Sequence, residues 1–204
     1  MYRPKKYQKD EKEFILKFIE QHPFANFITR GNRLLATHIP VLKEENGEDW
    51  RLYSHIANHN EQRQFLKDGE EALIIFHGAH GYVSSSWYRE QDISTWDYSA
   101  VHVNARIRLQ DRKELEYSLG KLVERFESKQ EKPLFYDELP RKMVEDHLDL
   151  ITGFWLEPVK VEGIAKLHQA YDKDNLRRVV AKLDTGEPLE RELSRDIRKE
   201  NQIE

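Results

Sequence analysis

The chain has 204 residues, with 33 basic and 37 acidic side chains, a formal net charge of −4 and no cysteine. A chain of this length buries a core without metal or disulfide staples, and the lack of cysteine excludes disulfides, thiolate metal sites and a cysteine nucleophile. The balanced charge gives no support for the basic face that DNA-binding proteins use. The polar N-terminus does not resemble a signal peptide, no apolar run approaches the ~20 residues of a membrane span, and we expect a cytoplasmic protein.

The first half of the chain is dominated by predicted strands. Asp10 and Glu13 form a capping-box pattern, which predicts a helix over residues 10–21. The strand over 99–109 is the clearest, because apolar and polar residues alternate there with a period of two. The other predicted strands cover 24–29, 34–39, 50–55, 72–76 and 81–86, and a short helix is predicted over 58–66.

Helices are more frequent in the second half. Asp111 and Glu114 form another capping box at the start of a helix over 111–126. Further helices are predicted over 140–152 and 172–183, and a strand over 154–169 that we expect Gly163 to interrupt. The charged tail, 186–204, is predicted to be a frayed, solvated helix outside a domain formed by 1–185. Because strands and helices do not alternate strictly, a mostly antiparallel barrel with packed helices is favoured over a doubly wound parallel sheet.

Several common catalytic motifs are absent from the sequence. There is no P-loop, no G-x-G-x-x-G, and no G-x-S-x-G around the serine run at 84–86. His55 and His59 are spaced i, i+4, and His77 and His80 i, i+3, but the glutamate of H-E-x-x-H is missing, so we predict no metal site. No acid–base pair stands out, and no catalytic residue is assigned.

A series of short segments is more informative than any single motif. In order and spacing these segments resemble the PaiB-type family of FMN-binding negative transcriptional regulators, over residues 1 to about 185. The family pattern includes M-Y-x-P, A-T-H-L-P, H-x-A-R-x-N, Y-I-S-P-S-W-Y, T-W-N-Y and K-L-S-Q-N. The matching segments here are Met1 to Pro4, Ala36 to Pro40, Ser54 to Asn60, Tyr82 to Tyr88, Thr95 to Tyr98 and Lys166 to Gln169.

The resemblance implies an α+β, β-dominated fold, an antiparallel FMN-binding split barrel with flanking helices. It further implies a homodimer with FMN at the subunit interface and a role in repressing transcription. The chain also departs from the pattern. Asn58 replaces an arginine, Asp97 replaces an asparagine, and His168 and Ala170 alter the K-L-S-Q-N end. Losing an arginine near a phosphate removes a bidentate charged contact.

The matched segments contain residue types that suit FMN. Its phosphate needs N–H groups, hydroxyls or cations, and its flat ring needs apolar faces and hydrogen-bond partners at its edges. A short helix opening near Asn58 would favour an anion with its N-terminal amides, and hydroxyls two apart on one strand would point to one side. The predicted cofactor-binding residues are Thr37, His38, His55, Asn58, Asn60, Ser84, Ser86, Trp87, Trp96, Lys166 and Gln169.

Each of these residues also has a structural interpretation. Asn58 and Asn60 are typical helix caps, and Trp87 and Trp96 suit a core or a subunit interface as well as a flavin. The functional alternatives also remain open: an FMN-binding regulator, a flavin-dependent oxidoreductase using NAD(P)H, or a family member that has lost its flavin. No helix–turn–helix is evident, so any effect on DNA is expected to be indirect.

Overall fold

The computed structural model describes all 204 residues, which form five α-helices and seven β-strands. The strands form one sheet in the order β2-β1-β5-β6-β7-β4-β3, antiparallel in the pairs β1–β2, β1–β5, β3–β4 and β4–β7. This confirms the predicted antiparallel α+β class. The elements are β1 (Phe24–Arg30), β2 (Leu34–Pro40), β3 (Leu42–Asn46), β4 (Asp49–Ala57), β5 (Glu71–Val83), β6 (Thr95–Leu109), β7 (Ile151–Lys166), α1 (Lys12–Gln21), α2 (Arg112–Glu127), α3 (Arg141–Leu148), α4 (Lys173–Leu183) and α5 (Pro188–Asn201).

The chain forms two compact units, to which β5, β6 and β7 each contribute residues. In the second unit, the rings of Phe27 and Phe154 stack with centroids 4.9 Å apart in the core. In the first unit, α4 and α5 contribute most of a buried aliphatic cluster. The first unit comprises Met1–Phe18, Phe76–His102 and Glu162–Glu204, and the second comprises Ile19–Ile75 and Val103–Val161.

Gly163, which was predicted to interrupt a strand, lies within a continuous one, and two strands that were predicted separately are joined through Gly78. The predicted strands over 72–76 and 81–86 are one strand, β5, which passes through Gly78. A Cβ at Gly78 would overlap with Ser99 Oγ and lie 3.1 Å from the Phe18 ring, so glycine permits close packing there. Gly163 likewise does not interrupt β7, and its carbonyl accepts a hydrogen bond from the Lys9 amide at 3.1 Å. Both glycines are explained by the close approach of another segment.

The predicted helices over 58–66 and 140–152 are both shorter in the structure. The first is a five-residue 3₁₀ turn, Glu61–Phe65, capped by the side chain of Asn60. The second ends at Leu148, and β7 begins three residues later at Ile151. The capping box at Asp111 and Glu114 is confirmed at the start of α2.

The charged tail is a packed helix, so the prediction of a frayed, solvated one is wrong. Pro188 is the first residue of α5, a position that proline favours, and Glu187 and Glu190 form a capping box around it. Leu193 and Ile197 are fully buried in the aliphatic cluster of the first unit. The narrow apolar face formed by Leu193 and Ile197 is therefore enough to pack α5 against this cluster. None of the five helices combines the length and the apolarity needed to cross a bilayer.

Candidate functional site

In the second unit, Thr37 and Asn60 are in direct contact, and both also contact Gln62, a residue that was not predicted to belong to the site. Asn60 donates from Nδ2 to the Thr37 hydroxyl at 3.0 Å, and the Thr37 hydroxyl donates to Gln62 Oε1. Gln62 is buried and donates in turn to Thr29 Oγ1 at 2.9 Å. These polar groups hold the 3₁₀ turn against β1 and β2. Thr37 and Asn60 were both predicted as cofactor-binding residues, and their side chains are engaged with each other and with Gln62 within the protein.

Asn58 lies in a second cluster, which we call the Asn58 cluster and define as Asn58, Arg63 and Thr152. The Thr152 hydroxyl donates to Asn58 Oδ1 at 2.6 Å and accepts from Nε of Arg63 at 2.5 Å. Asn58 also donates from Nδ2 to the Asp149 carbonyl at 2.9 Å. Sequence analysis did not single out Arg63, because the family pattern directs attention to position 58 and the two side chains are joined only through Thr152 on β7.

The two predicted histidines of this unit differ in environment. His38 is exposed on β2, with its ring centroid 6.1 Å from that of Phe24. His55 lies on β4 opposite Gly153, and burial lowers the pKa of its imidazole below the ordinary value. His55 is therefore a neutral hydrogen-bonding group at neutral pH.

In the first unit, three exposed aromatic side chains form a surface that we call the aromatic patch, His80, Tyr82 and Trp96. Trp96 is 50% exposed and Tyr82 48%, although both are large and partly apolar. Trp96 Nε1 donates to His80 Nδ1 at 3.2 Å, and the Tyr82 and Trp96 ring centroids are 6.4 Å apart. Of the three, only Trp96 was predicted as a site residue. The patch presents flat, accessible ring surface.

The serine run does not lie on a strand, which corrects the prediction that Ser84 and Ser86 share a strand face. β5 ends at Val83, and Ser84 caps a 3₁₀ turn over Ser85–Trp87. The two hydroxyls still meet, with their Oγ atoms 2.8 Å apart, because the turn folds one back on the other. Trp87 is partly buried against the aliphatic cluster of this unit.

Lys166 is the last residue of β7, and Gln169 lies in the turn that follows it; their surroundings differ. Lys166 donates from Nζ to the Trp96 carbonyl at 2.7 Å and also to the Thr95 hydroxyl, which places an ammonium group next to the backbone of the aromatic patch. Gln169 accepts from the Leu167 amide at 2.9 Å and donates to the Ala165 carbonyl. The Gln169 side chain therefore stabilises the turn that follows β7 through these two hydrogen bonds.

Two residues that depart from the family pattern, Asp97 and His168, are in direct contact. Both are buried, and His168 Nδ1 pairs with the Asp97 carboxylate. Because a carboxylate can only accept, Nδ1 carries a proton, and Nε2 is hydrogen-bonded to the Tyr88 hydroxyl 2.8 Å away. Asp97 Oδ1 has no hydrogen-bond partner and lies 3.7 Å from Lys166 Nζ, beside a pocket of about 220 Å³. The arrangement is a buried carboxylate–imidazole–phenol chain.

The chain is similar to known proteins along most of its length. A family model described as "Putative FMN-binding domain" matches residues 1–158. The protease synthase and sporulation protein PAI 2 of Bacillus subtilis is 29% identical over 188 residues, which cover 92% of this chain and 91% of that protein.

Two solved structures share the fold at low identity. The FAD and heme binding protein from Mycobacterium smegmatis has a TM-score of 0.62 at 17% identity, covering 86% of this chain and 80% of its own. The flavocytochrome Anf3 from Azotobacter vinelandii has a TM-score of 0.64 at 13% identity, covering 87% and 78%. At such identities the likeness concerns the fold alone, and it confirms the predicted split-barrel fold.

Proposed function

Because this chain belongs to the family of FMN-binding domains, we propose that it is an FMN-binding regulatory protein that acts as a cytoplasmic homodimer with the flavin at the subunit interface. The family match confirms the resemblance found in the sequence and FMN as the expected cofactor. The regulatory role is supported by the likeness to the Bacillus subtilis protein, whose name refers to protease synthesis and sporulation.

The observation that carries the proposal is the aromatic patch. An indole, a phenol and an imidazole, all exposed, offer ring faces on which a flat isoalloxazine can stack. Aromatic pairs contribute about 0.5–1.5 kcal/mol beyond the area they bury. The residues present therefore fit the ring of FMN, and in the proposed dimer the same patch would be covered on flavin binding.

Bound FMN supplies reversible electron transfer, and the chain's own residues supply its binding and orientation. Trp96 is held in place by its hydrogen bond to His80, so that its ring face is fixed before a ligand arrives. The Lys166 ammonium is anchored on the Trp96 carbonyl and also pairs with the Asp97 carboxylate 3.7 Å away, so it fixes the backbone that carries this surface. His55, neutral because burial lowers its pKa, can donate or accept a hydrogen bond without adding charge.

The direct test is a titration of the purified protein with FMN, followed by absorbance and by quenching of flavin fluorescence. Trp96→Ala should weaken FMN binding about 5- to 10-fold, the loss of one stacking contact of about 1–1.5 kcal/mol. Tyr117→Ala is the matched control, since Tyr117 is an aromatic residue of similar exposure, 48% against 50% for Trp96, but lies on α2. If both variants bind FMN like the parent protein, the aromatic patch is not the ring site.

The dimer and the mode of regulation need separate experiments. Sedimentation should give twice the mass of the chain, and a strict monomer at micromolar concentration would contradict the interface site. The net charge of −4 favours an effect on transcription that requires a partner protein rather than direct DNA contact. Tight, sequence-selective DNA binding by the pure protein would overturn that part of the proposal.

The buried chain of Asp97, His168 and Tyr88 favours a second candidate, a flavin-dependent oxidoreductase. Such reactions take up or release protons, and this chain links three groups that can hold them. Stopped-flow reduction of the FMN-loaded protein by NADH and by NADPH distinguishes the candidates. Reduction no faster than that of free FMN would leave regulation as the function.

A further inference from the structure

The substitution at position 58 leaves a neutral side chain where the family pattern has a cation. The Asn58 amide is already engaged, since Nδ2 donates to the Asp149 carbonyl at 2.9 Å and Oδ1 accepts from Thr152 at 2.6 Å. An amide held in this way cannot replace the charge-assisted, bidentate contact that an arginine makes with a phosphate. Considered alone, Asn58 therefore suggests weaker binding of the phosphate.

Arg63 places a guanidinium in the same cluster. Its Nε donates to the Thr152 hydroxyl at 2.5 Å, and that hydroxyl donates to Asn58, so the positive group is linked to position 58 through one side chain. The side chain is partly buried, which limits the directions that the guanidinium can take. Thr152 lies on β7 in regular pairing with β4, which makes it a rigid anchor.

The terminal nitrogen atoms of Arg63 make no hydrogen bond or ion pair within the chain. The acidic side chain closest in sequence, Glu61, is engaged by Arg33 through two hydrogen bonds of 2.5 and 2.7 Å. Glu61 is thus engaged by another arginine, and Arg63 forms no ion pair with it. A guanidinium fixed at Nε, with both terminal nitrogens available, has the geometry for two parallel N–H···O bonds to a phosphate.

We propose that Arg63 is the phosphate anchor of this protein, supplying from position 63 the cation that the family pattern has at position 58. The proposal rests on the FMN-binding function proposed above and names the ligand chemistry as a phosphate monoester. Thr152 and Asn58 act as positioning residues, because Thr152 accepts from Nε of Arg63 and Asn58 in turn holds the Thr152 hydroxyl. The Glu61–Arg33 pair keeps a competing carboxylate away from the anchor.

The test compares FMN with riboflavin, which has the same ring but no phosphate. In fluorescence-quenching titrations, Arg63→Gln should weaken FMN binding about 10- to 100-fold, the range for hydrogen bonds to a charged group. Riboflavin binding should be unchanged. Arg106→Gln is the matched control, because Arg106 is also an arginine of the second unit, is exposed on β6, and should leave both affinities as they are.

Two further variants keep the outcome interpretable. Arg63→Lys retains the positive charge but not the planar guanidinium, so it should lose less FMN affinity than Arg63→Gln. It replaces Arg63→Gln in the test if circular dichroism shows that Arg63→Gln is poorly folded. Adding Asn58→Arg to Arg63→Gln should recover FMN affinity. If the parent protein prefers FMN over riboflavin and Arg63→Gln and Arg63→Lys keep that full preference, the Arg63 assignment alone fails. If the parent protein binds neither flavin, the proposed function fails and the assignment with it.

Discussion

The contact between Asp97 and His168 gives a quantitative prediction about stability. Both residues are at most 2% exposed, and together they replace the asparagine and serine of the family pattern. We consider His168→Ser, Asp97→Asn and the double variant, which restores the family pair. Since the two side chains touch, the effect of one substitution should depend on whether the other is present.

The single variants should differ in severity. His168→Ser leaves a buried carboxylate whose nearest cation, Lys166 Nζ, is 3.7 Å away, and removing one partner of a buried pair costs about 3–5 kcal/mol. Asp97→Asn keeps an acceptor for the imidazole, and its expected cost is about 1–2 kcal/mol. The double variant leaves no buried charge unpaired, so it should be at least ~1 kcal/mol more stable than the sum of the single effects.

Urea unfolding followed by tryptophan fluorescence and by far-ultraviolet circular dichroism measures these values. Coincident transitions and an unchanged m-value are the condition for comparing free energies of unfolding. His168 has a φ of +63°, so any residue placed there must adopt a left-handed backbone conformation. His168→Asn is the control for this effect, because asparagine tolerates that conformation better than serine. Strictly additive single effects would refute the coupling.

Two other predictions concern α5. Leu193→Ala should lower the free energy of unfolding by about 2–5 kcal/mol, because Leu193 is fully buried. Leu189→Ala is the control and should lower it by less than about 1 kcal/mol, because Leu189 is 41% exposed. Equal losses for the two variants in urea unfolding would contradict the packing described. Burial, together with the charge of Glu192, raises the pKa of Asp196 from 3.8 to about 6. The folded state then binds more protons than the unfolded state, so this contribution to stability is present below about pH 4 and is lost as the pH rises through 6. Asp196→Asn should therefore stabilise the protein by about 1–2 kcal/mol at pH 7 and have little effect at pH 4, and equal effects at both pH values would exclude this cause.

Much of the fold could be predicted from local pattern. The capping box at Asp111 and Glu114 and the alternation in β6 both depend on neighbours in sequence, and both are confirmed. Gly163 was wrongly predicted to interrupt a strand, and the strand through Gly78 was predicted as two, because both glycines are explained by residues far along the chain, the Phe18 ring and the Lys9 backbone. Whether a glycine breaks a strand or admits a close neighbour is decided by tertiary packing.

The site was predictable as a set of segments but not as a set of free side chains. The sequence directs attention to Asn60 and Gln169, yet their amides are engaged in holding a turn and a strand end. Tyr82 and His80 complete the aromatic patch only because Trp96, from the next strand, comes to lie beside them. A residue type and its spacing indicate what a side chain can bind, and the fold determines whether its polar groups are still available.

Two of the departures from the family pattern, at Asp97 and Asn58, have a feature in common that bears on whether the flavin has been lost. Asp97 is in contact with His168, another departure, so a charge introduced at one position has a partner at the other. Asn58 is linked through Thr152 to Arg63, so the charge missing at one position is present at its neighbour in space. Random decay of an unused site would leave such changes unmatched, with buried charges unpaired and the phosphate site without a cation. Their pairing favours a protein that has kept its ligand and rearranged the residues around it.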